Sequence, residues 1–250
     1  MVVCLPALSS DIQSREVYIK SIEGTVTYSL DHSTWSALKP GMTLQKGDAL
    51  RTGPDSTADL EFKYSGTALR LKPNSLLELA KLDEMVAGED VIIDTRLNLE
   101  SGSVIGSQDK LAPPSAFTIA TRNGSAIIKG TEYSVAADGA VACFRGEVAV
   151  NSSQHGNVVS AEVPAGFSFN PAKGQVVATS PSDLSNFSRD LWTVRDCAQE
   201  LTIDRGKRCK EPYPPVSPVH GHHGHHGFGP PGKDHDHGYG DDHGGGHGYW

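Results

Sequence analysis

The chain has 250 residues, of which 37% are hydrophobic and 21% charged, a composition that suits one globular domain with appendages. Its formal net charge is −8, from 22 Lys and Arg against 30 Asp and Glu. This balance argues against a nucleic-acid or anionic-membrane binder, since counterion release at a polyanion needs clustered basic side chains. Of the 11 histidines, only His32 and His155 precede residue 220, so the histidine excess needs an explanation separate from the fold.

The sequence of residues 1–15 predicts a residual secretory leader or, as the alternative, a disordered or strand-forming N-terminus. The start, Met1 to Ser10, has a short apolar stretch followed by small residues, as the end of a secretory signal does, but no basic segment precedes it. No apolar run reaches the roughly 20 residues that span a bilayer. We therefore expect no integral membrane segment.

Residues 16–178 predict an all-β domain of many short strands. Apolar residues recur with period two, as in Ala58, Leu60 and Phe62, and glycine turns such as Ser101-Gly102 separate the runs. Closely spaced turns favour a twisted, solenoid-like stack in which each rung buries its apolar face against its neighbours. A compact β-sandwich is the alternative.

Residues 179–210 predict one amphipathic helix and a possible disulfide loop. Apolar residues recur at helical spacing from Leu184 to Leu201, and Ser182 is placed to cap the N-terminus. We expect this helix to cover an end or open face of the β domain, with Trp192 as a bulky contact; partner binding is the alternative.

Four cysteines occur with no Cys-x-x-Cys pair, which argues against a structural zinc site. Cys197 and Cys209 flank a polar stretch after the predicted helix. In an oxidising compartment they could close a small disulfide loop, and two unpaired thiols are the alternative.

Residues 211–250 predict a disordered tail rich in Pro, Gly and His, because almost nothing apolar is available to bury. Imidazole binds Zn²⁺, Ni²⁺ and Cu²⁺, and glycines let a short chain fold several imidazoles around one ion. The candidate metal ligands are His220, His222, His223, His225, His226, His235, His237, His243 and His247. Protonating these nine imidazoles below a pKa of about 6.5 would also reverse the charge of the tail, so an acid-dependent tether is a competing hypothesis.

A set of motifs in the β domain resembles the FecR family, an extracytoplasmic regulatory domain of bacterial iron-uptake signalling proteins. The resemblance runs from about Gly24 to Gly166, and so many elements in the right order make it specific. The residues that carry it are Gly24, Trp35, Pro40, Gly41, Gly47, Asp48, Arg51, Thr52, Gly53, Gly66, Pro73, Asn74, Ser75, Gly102, Thr121, Gly130, Thr131 and Gly166.

The resemblance implies a solenoid-like domain outside the cytoplasm, in the periplasm or secreted, that acts through protein contacts rather than chemistry. We expect the motif residues to be structural, with Asp48, Thr52, Asn74 and Thr131 hydrogen-bonding turn backbone. Family members that control a sigma factor resemble a longer chain, in which a cytoplasmic helical segment and a transmembrane helix precede this domain. Neither is found in the sequence, so we expect a standalone member and do not carry over sigma regulation.

Catalytic signatures are missing from the sequence. No nucleophile elbow, phosphate-binding glycine loop or dinucleotide fingerprint occurs, and His32 and His155 lie in predicted exposed turns. Acidic residues such as Glu61 and Asp94 are predicted on solvated strand faces. We expect a non-enzymatic protein that requires no cofactor and binds a protein partner in the cell envelope, with possible Zn, Ni or Cu ions on its tail. The alternative is a metal-binding protein whose β domain only carries the tail.

Overall fold

The computed structural model describes residues 12–190, except 63–64, 88–89 and 155–156. Nineteen strands and one helix form among these residues. The strands are β1 (Ile12–Ser14), β2 (Val17–Glu23), β3 (Val26–Ser29), β4 (Ser36–Ala37), β5 (Thr43–Leu44), β6 (Ala49–Thr52), β7 (Thr57–Phe62), β8 (Thr67–Leu71), β9 (Leu76–Ala87), β10 (Asp90–Ser101), β11 (Ser103–Gln108), β12 (Ala116–Thr121), β13 (Gly124–Ile128), β14 (Glu132–Ala136), β15 (Val141–Arg145), β16 (Glu147–Gln154), β17 (Asn157–Pro164), β18 (Phe167–Asn170) and β19 (Gln175–Ala178). The helix, α1, covers residues 181–190, where the described range ends.

The strands form two sheets. The first has the order β17-β16-β13-β12-β10-β9-β6-β3-β4, with β1 also paired to β9, and the second has the order β19-β18-β15-β14-β11-β8-β7-β2-β5. The chain crosses between the sheets after every one or two strands, and the order within each sheet largely follows the chain. The predicted all-β fold is confirmed. The fold has features of both expected architectures. The strands form a two-layer sandwich, and the chain builds it by passing back and forth between the two sheets as it advances along them, as in a solenoid.

The core lies between the two sheets, where period-two alternation directs the apolar side chains. Ala58, Leu60 and Phe62 of β7 are at most 1% exposed. The Phe62 ring meets Phe117 of β12 edge to face, with centroids 5.6 Å apart, and so joins one sheet to the other. Each such fully buried large side chain contributes roughly 1.5–3 kcal/mol.

Strand β9 lacks a regular alternation, and a β-bulge explains why. Leu77, Leu79 and Leu82 are all fully buried although their spacing changes from two to three residues. The pairing of β9 with β10 shifts register between Arg96 and Asn98, which inserts an extra residue on β9. The core-facing positions therefore change phase after Leu79, and a strict period-two pattern does not describe this strand.

Two acidic residues of β7 are buried on the outer face of the second sheet, so the prediction that Glu61 is solvated is wrong. Glu61 is 6% exposed and lies 3.3 Å from the ammonium of Lys20 on the neighbouring strand β2. Asp59 is 2% exposed and accepts two hydrogen bonds, of 2.7 and 2.8 Å, from the Arg70 guanidinium. Pairing with a cation offsets the cost of removing each carboxylate from water. Asp94 does lie on an exposed face, half exposed beside Lys81.

Helix α1 begins two residues earlier than the sequence predicts. Ser180, and not Ser182, precedes the helix, and its Oγ atom accepts a hydrogen bond from the Asp183 N–H at 3.2 Å. Pro181 then fits the first helical position, where its missing N–H costs nothing. The correction follows from the local chemistry, because a serine before a proline satisfies the cap and the first-turn preference together.

Helix α1 packs on the outer face of the second sheet. Phe187 is 5% exposed, packs against Ile105 of β11 and stacks on the ring of Phe144 of β15. The Lys72 ammonium donates to a carboxylate oxygen of Asp190 at 2.6 Å. The described part of the helix therefore covers an open sheet face. The rest of the predicted helix, with Trp192, lies outside the described residues.

Candidate binding cleft

Several motif residues meet where the chain crosses between the sheets. The Thr52 hydroxyl donates to the carbonyl of Lys72 at 2.6 Å and accepts from the Ser75 N–H at 2.9 Å. The N–H of Asn74 donates to the carbonyl of Gly53 at 3.1 Å. We call this set, with the turn residues beside it, the corner ladder; it consists of Gly24, Thr52, Gly53, Pro54, Asp55, Ser56, Pro73, Asn74, Ser75 and Gly102. Its contacts tie successive crossings together.

The corner ladder contains the same turn twice, as Pro54-Asp55-Ser56 and Pro73-Asn74-Ser75. The central residue of each turn is left-handed, with φ of 49° at Asp55 and 57° at Asn74, a conformation that Asp and Asn tolerate better than most residues. The hydroxyls of Ser56 and Ser75 accept hydrogen bonds from the backbone N–H groups of the residues that follow Gly24 and Gly102, at 2.9 and 3.0 Å, respectively.

Gly24 and Gly102 make these contacts possible. Both have positive φ, 74° in each case, and a Cβ atom on either would lie 3.0 Å or less from the serine above it. Glycine alone satisfies both the backbone conformation and the close approach. The sequence carries a signal for this repeat, a Pro-Asx-Ser triplet in two places, of which only the second lies among the predicted motif residues.

Trp35 and Arg51 lie together on the outer face of the first sheet, where the Arg51 guanidinium stands 4.5 Å from the Trp35 ring centroid.

Other motif residues hold single turns. The Asp48 carboxylate accepts from the Gln45 N–H at 2.8 Å, beside Gly47, and the N–H of Gly41, after Pro40, donates to the Ile19 carbonyl at 2.8 Å.

Two further motif residues hold turns nearer the end of the domain. Thr121 Oγ1 accepts from the Asn123 N–H at 3.3 Å, and the N–H of Gly166 donates to the Cys143 carbonyl at 2.8 Å. The first contact lies within one turn, and the second joins the turn at Gly166 to strand β15.

The last group of motif residues lines a polar cleft at the ends of β11, β14 and β15. Gly130 and Thr131 form one wall, and residues 107–110 form the other. The Gln108 N–H donates to the Thr131 carbonyl at 3.0 Å and joins the walls at the base. A Cβ atom on Gly130 would lie 2.8 Å from the Lys110 Cα atom, so glycine is needed for the walls to approach. Gly66 lies equally close to Asp109, behind the same segment.

Two side chains of the cleft are buried with an unused hydrogen-bonding atom. Thr131 is 2% exposed, and its Oγ1 atom has no hydrogen-bond partner. The prediction that Thr131 hydrogen-bonds turn backbone is therefore wrong; its backbone makes the contact, and its hydroxyl does not. Gln108 is 5% exposed and donates its amide to Thr67 Oγ1 at 3.2 Å, which leaves its Oε1 atom without a partner. Each such group costs about 1–3 kcal/mol of stability.

The charged groups of the cleft divide between its interior and its rim. Glu132 is 7% exposed, whereas Asp109, Lys110 and Arg145 are exposed. Arg145 Nη1 lies 3.7 Å from a Glu132 carboxylate oxygen, beyond hydrogen-bond distance, and its side chain is 76% exposed. Gln108, Glu132 and Arg145 are not among the residues predicted from the sequence, since no local signal marks them.

Two groups next to the cleft, the Cys143 thiol and the Tyr133 phenol, are buried, and burial favours their protonated forms. Burial raises the pKa of the Cys143 thiol to about 11, from an ordinary value of 9.0. Burial likewise raises the pKa of the Tyr133 phenol above its usual range. The Tyr133 ring lies against Gly106 of the neighbouring strand β11, where a Cβ atom would come within 2.4 Å of it. These groups pack the floor behind the cleft.

Other candidate residues lie outside the described range. These are His155, the pair Cys197 and Cys209, and the nine tail histidines. Within residues 12–190, as far as they are described, no group of three or more His, Cys, Asp or Glu side chains is placed to hold a metal ion. His32 is exposed, and its Nε2 atom lies 3.0 Å from the Gly47 carbonyl. In the same part of the chain, no helix is long and apolar enough to cross a membrane.

Comparison with known proteins gives one family match. A family model described as FecR protein matches residues 48–149. A search among curated proteins finds no match. Two crystal structures of a candidate anti-sigma factor from Parabacteroides distasonis are similar, with 13% and 14% sequence identity and TM-scores of 0.39 and 0.38. Each similarity covers 53% of this chain and 59% of the solved chain, so the chain spans about three fifths of the length of these structures.

Fold and motif residues together define a two-sheet, all-β domain of the kind that the sequence motifs indicate. Residues 48–149 are a FecR-family domain. The matched range includes most of the corner ladder and the whole cleft, whereas Gly24, Trp35, Pro40, Gly41, Gly47 and Gly166 lie outside it.

Proposed function

We propose that this protein is a non-enzymatic regulatory module that acts by binding a protein partner in the cell envelope. The observation that carries the proposal is the FecR-family match, since the resemblance implies an extracytoplasmic signalling domain that works through protein contacts. The geometry supports this function. Most motif side chains are used to hold turns, and the described polar cleft has no nucleophile paired with a base of the kind that covalent catalysis requires.

Site-specific photocrosslinking in the producing cells tests this proposal. A photoreactive residue is introduced into the full chain at Lys110 on the cleft rim, Arg96 on the first sheet, Val86 on β9 and Val158 on β17, all of which are exposed. We expect a discrete adduct with one identified envelope protein, and saturable binding when that protein is purified and mixed with the full chain. The absence of any discrete adduct from all four positions would contradict the proposal.

We further propose that the tail adds a metal-binding element. The supporting observation is compositional, because nine histidines alternate with glycine and aspartate after residue 219. In this function the tail binds Zn²⁺, Ni²⁺ or Cu²⁺ and responds to the metal, while the FecR domain binds the partner. In the alternative function, metal binding is the principal activity and the β domain carries the tail.

Calorimetric titration of the full chain with each metal ion distinguishes the tail from the rest of the chain. A variant with all nine tail histidines changed to Asn is expected to lose binding, whereas His32→Asn, outside the tail, is expected to keep it. Equal binding by the nine-fold variant and the unmodified chain would contradict the assignment. Partner crosslinking that persists in the nine-fold variant would favour the partner-binding function over the carrier function.

A further inference from the structure

The two ends of the sandwich are built differently. At one end the sheets finish in β4 and β5, strands of two residues each, with Lys39 and Pro40 between them in the chain. Short strands, lysine and proline protect a sheet edge from pairing with another chain. At the other end the first sheet finishes in β17, which has eight residues, pairs regularly with β16 and has no described strand on its outer side. Pro164 only ends this strand, and β17, β18 and β19 together contain a single charged residue, Glu162.

The backbone of β17 directs a row of hydrogen-bonding groups to this open edge. The Ser153 N–H of β16 donates to the Asn123 carbonyl at 2.8 Å, on the side of β13. Because successive residues of a strand direct their backbone groups to opposite edges, the neighbouring Ser152 directs its own toward its pair on β17, Val159. The alternate residues of β17 therefore direct their N–H and C=O groups to the open side, and these residues are Val158, Ser160 and Glu162. All three side chains are exposed.

The open edge of β17 stands beside a part of the second sheet that no described strand covers. A connection of two residues joins β17 to β18, so β17 lies over β18, and β19 extends one strand further out. Phe167 of β18 pairs with the buried Cys143 and so faces the interior, yet it is 40% exposed. On β19 the inner-facing Val176 is half-buried and Ala178 is exposed. Neighbouring strands lie about 4.8 Å apart, so one added strand would fill the place over β19 and cover this apolar floor.

The charge on β17 restricts which strand fits. The Glu162 carboxylate lies 3.7 Å from the Lys129 ammonium on the outer face, and both side chains are about half exposed. A strand added beside β17 would place one side chain directly opposite Glu162 on that face. A basic side chain is favoured in this position and an acidic one is repelled. The inner-facing side chains of the same strand would meet Val176 and Ala178, which favours apolar residues at alternate positions.

We propose that the protein partner adds one extended strand to the open edge of β17. The main-chain groups of Val158, Ser160 and Glu162 bind the backbone of this strand, which is the mode known as β-strand addition. Its alternate side chains are apolar and face β19, and the residue opposite Glu162 is lysine or arginine. That the strand comes from the partner rests on the proposed function, whereas the capacity of the edge to bind an extended peptide does not.

The test uses the full chain and the peptide acetyl-Lys-Val-Thr-Val-Lys-Val-Thr-amide, whose valines form one face of a strand. Hydrogen exchange of single amides is followed by NMR in about 0.15 M salt, which screens charges beyond roughly 8 Å. Without peptide, the amides of Val158, Ser160 and Glu162 should exchange fast, and those of Val159 and Ala161 slowly. The peptide should slow the fast set saturably, with a dissociation constant on the order of 1 mM. Protection of the fast set before peptide is added, or no saturable slowing, would overturn the proposal.

The charge preference is tested with a second peptide in which both lysines are glutamate. We expect it to bind about fivefold more weakly. In Glu162→Gln the difference between the two peptides should become several-fold smaller. Equal binding of both peptides by the unmodified chain would contradict the assignment of a basic residue opposite Glu162.

Two substitutions at one position separate the edge from the fold. Ser160→Pro removes an N–H that β16 does not use and places a ring on the open edge, where a folded sheet tolerates proline. We expect it to weaken peptide binding by about tenfold or more. Ser160→Ala loses the same hydroxyl, which donates to Asn151 Oδ1 at 2.9 Å, and keeps the N–H, so its binding should be unchanged. Equal binding by the two variants, at similar midpoints of urea denaturation, would overturn the proposal.

The same pair of variants distinguishes the occupants of the edge. We expect Ser160→Pro, and not Ser160→Ala, to reduce the yield of partner adduct several-fold. An adduct whose yield both variants leave unchanged overturns the β17 assignment alone. Peptide binding in a chain that gives no adduct from any position overturns the partner-binding function alone. A dimer of the full chain, seen by analytical ultracentrifugation and abolished by Ser160→Pro, would assign the edge to a second copy and contradict the proposal.

Discussion

Gly102 lies directly against Ser75, so closely that a Cβ atom on Gly102 would stand 2.5 Å from the Ser75 Cα atom. The same relationship joins Gly24 to Ser56 in the earlier crossing. Because Ser75 is also bonded to Thr52 and Ser103, the contact connects three crossings between the sheets. The corner ladder therefore links neighbouring crossings through shared hydrogen bonds.

Replacing Gly102 by alanine should be severely destabilising. The new methyl group meets backbone atoms of Ser75, and φ of 74° is itself unfavourable for alanine. We expect the free energy of unfolding to fall by about 3 kcal/mol or more, measured by urea denaturation. Gly166→Ala is the control, since Gly166 has a similar φ of 82° but open space around it. It should lose only about 1–2 kcal/mol, and equal losses would show that the contact with Ser75 is unimportant.

The two motif threonines should respond oppositely to the same substitution. Thr52→Val leaves the Lys72 carbonyl and the Ser75 N–H without their partner, and we expect a loss of about 2–3 kcal/mol in the free energy of unfolding. Thr131→Val removes a buried hydroxyl that has no partner, so stability should be unchanged or higher by up to about 1 kcal/mol. Urea denaturation of both variants, with the half-buried Thr118→Val as control, decides the matter. A loss in Thr131→Val as large as that in Thr52→Val would show that the hydroxyl is structural.

Alkaline pH should weaken the domain through Cys143. Burial raises the pKa of this thiol to about 11, so in the unfolded chain, where its pKa is about 9.0, the thiol ionises first. The stability contribution is fully present below pH 9 and is lost as pH rises toward 11, by about 2–3 kcal/mol. Cys143→Ala should flatten the fall in unfolding free energy over this interval. An unchanged pH profile in that variant would exclude the thiol as its source.

The sequence predicts the layers better than it predicts the contacts between crossings. Period-two runs such as Ala58, Leu60 and Phe62 identify strands because alternation and burial coincide there. Strand β9 is hidden because a bulge shifts its phase after Leu79. Glu61 is misjudged because its burial depends on Lys20 of another strand, a tertiary pairing that no local pattern contains.

The candidate site is predicted only in part. Gly130 and Thr131 stand out as a motif, yet the sequence assigns Thr131 the same structural role as Thr52. Thr52 and Thr131 differ in which backbone groups lie near their hydroxyls. For Thr131, these neighbours are determined by the register of β11 and β14. Gln108, Glu132 and Arg145 come from three strands and carry no shared pattern in the chain.

The measurement that tests the central claim most directly is the recovery of partner adducts from the full chain with a crosslinker at Lys110, Arg96, Val86 or Val158. We expect a discrete adduct with one envelope protein, and saturable binding of that protein, once purified, to the full chain. The absence of a discrete adduct from all four positions would contradict the claim that the protein acts by binding a protein partner.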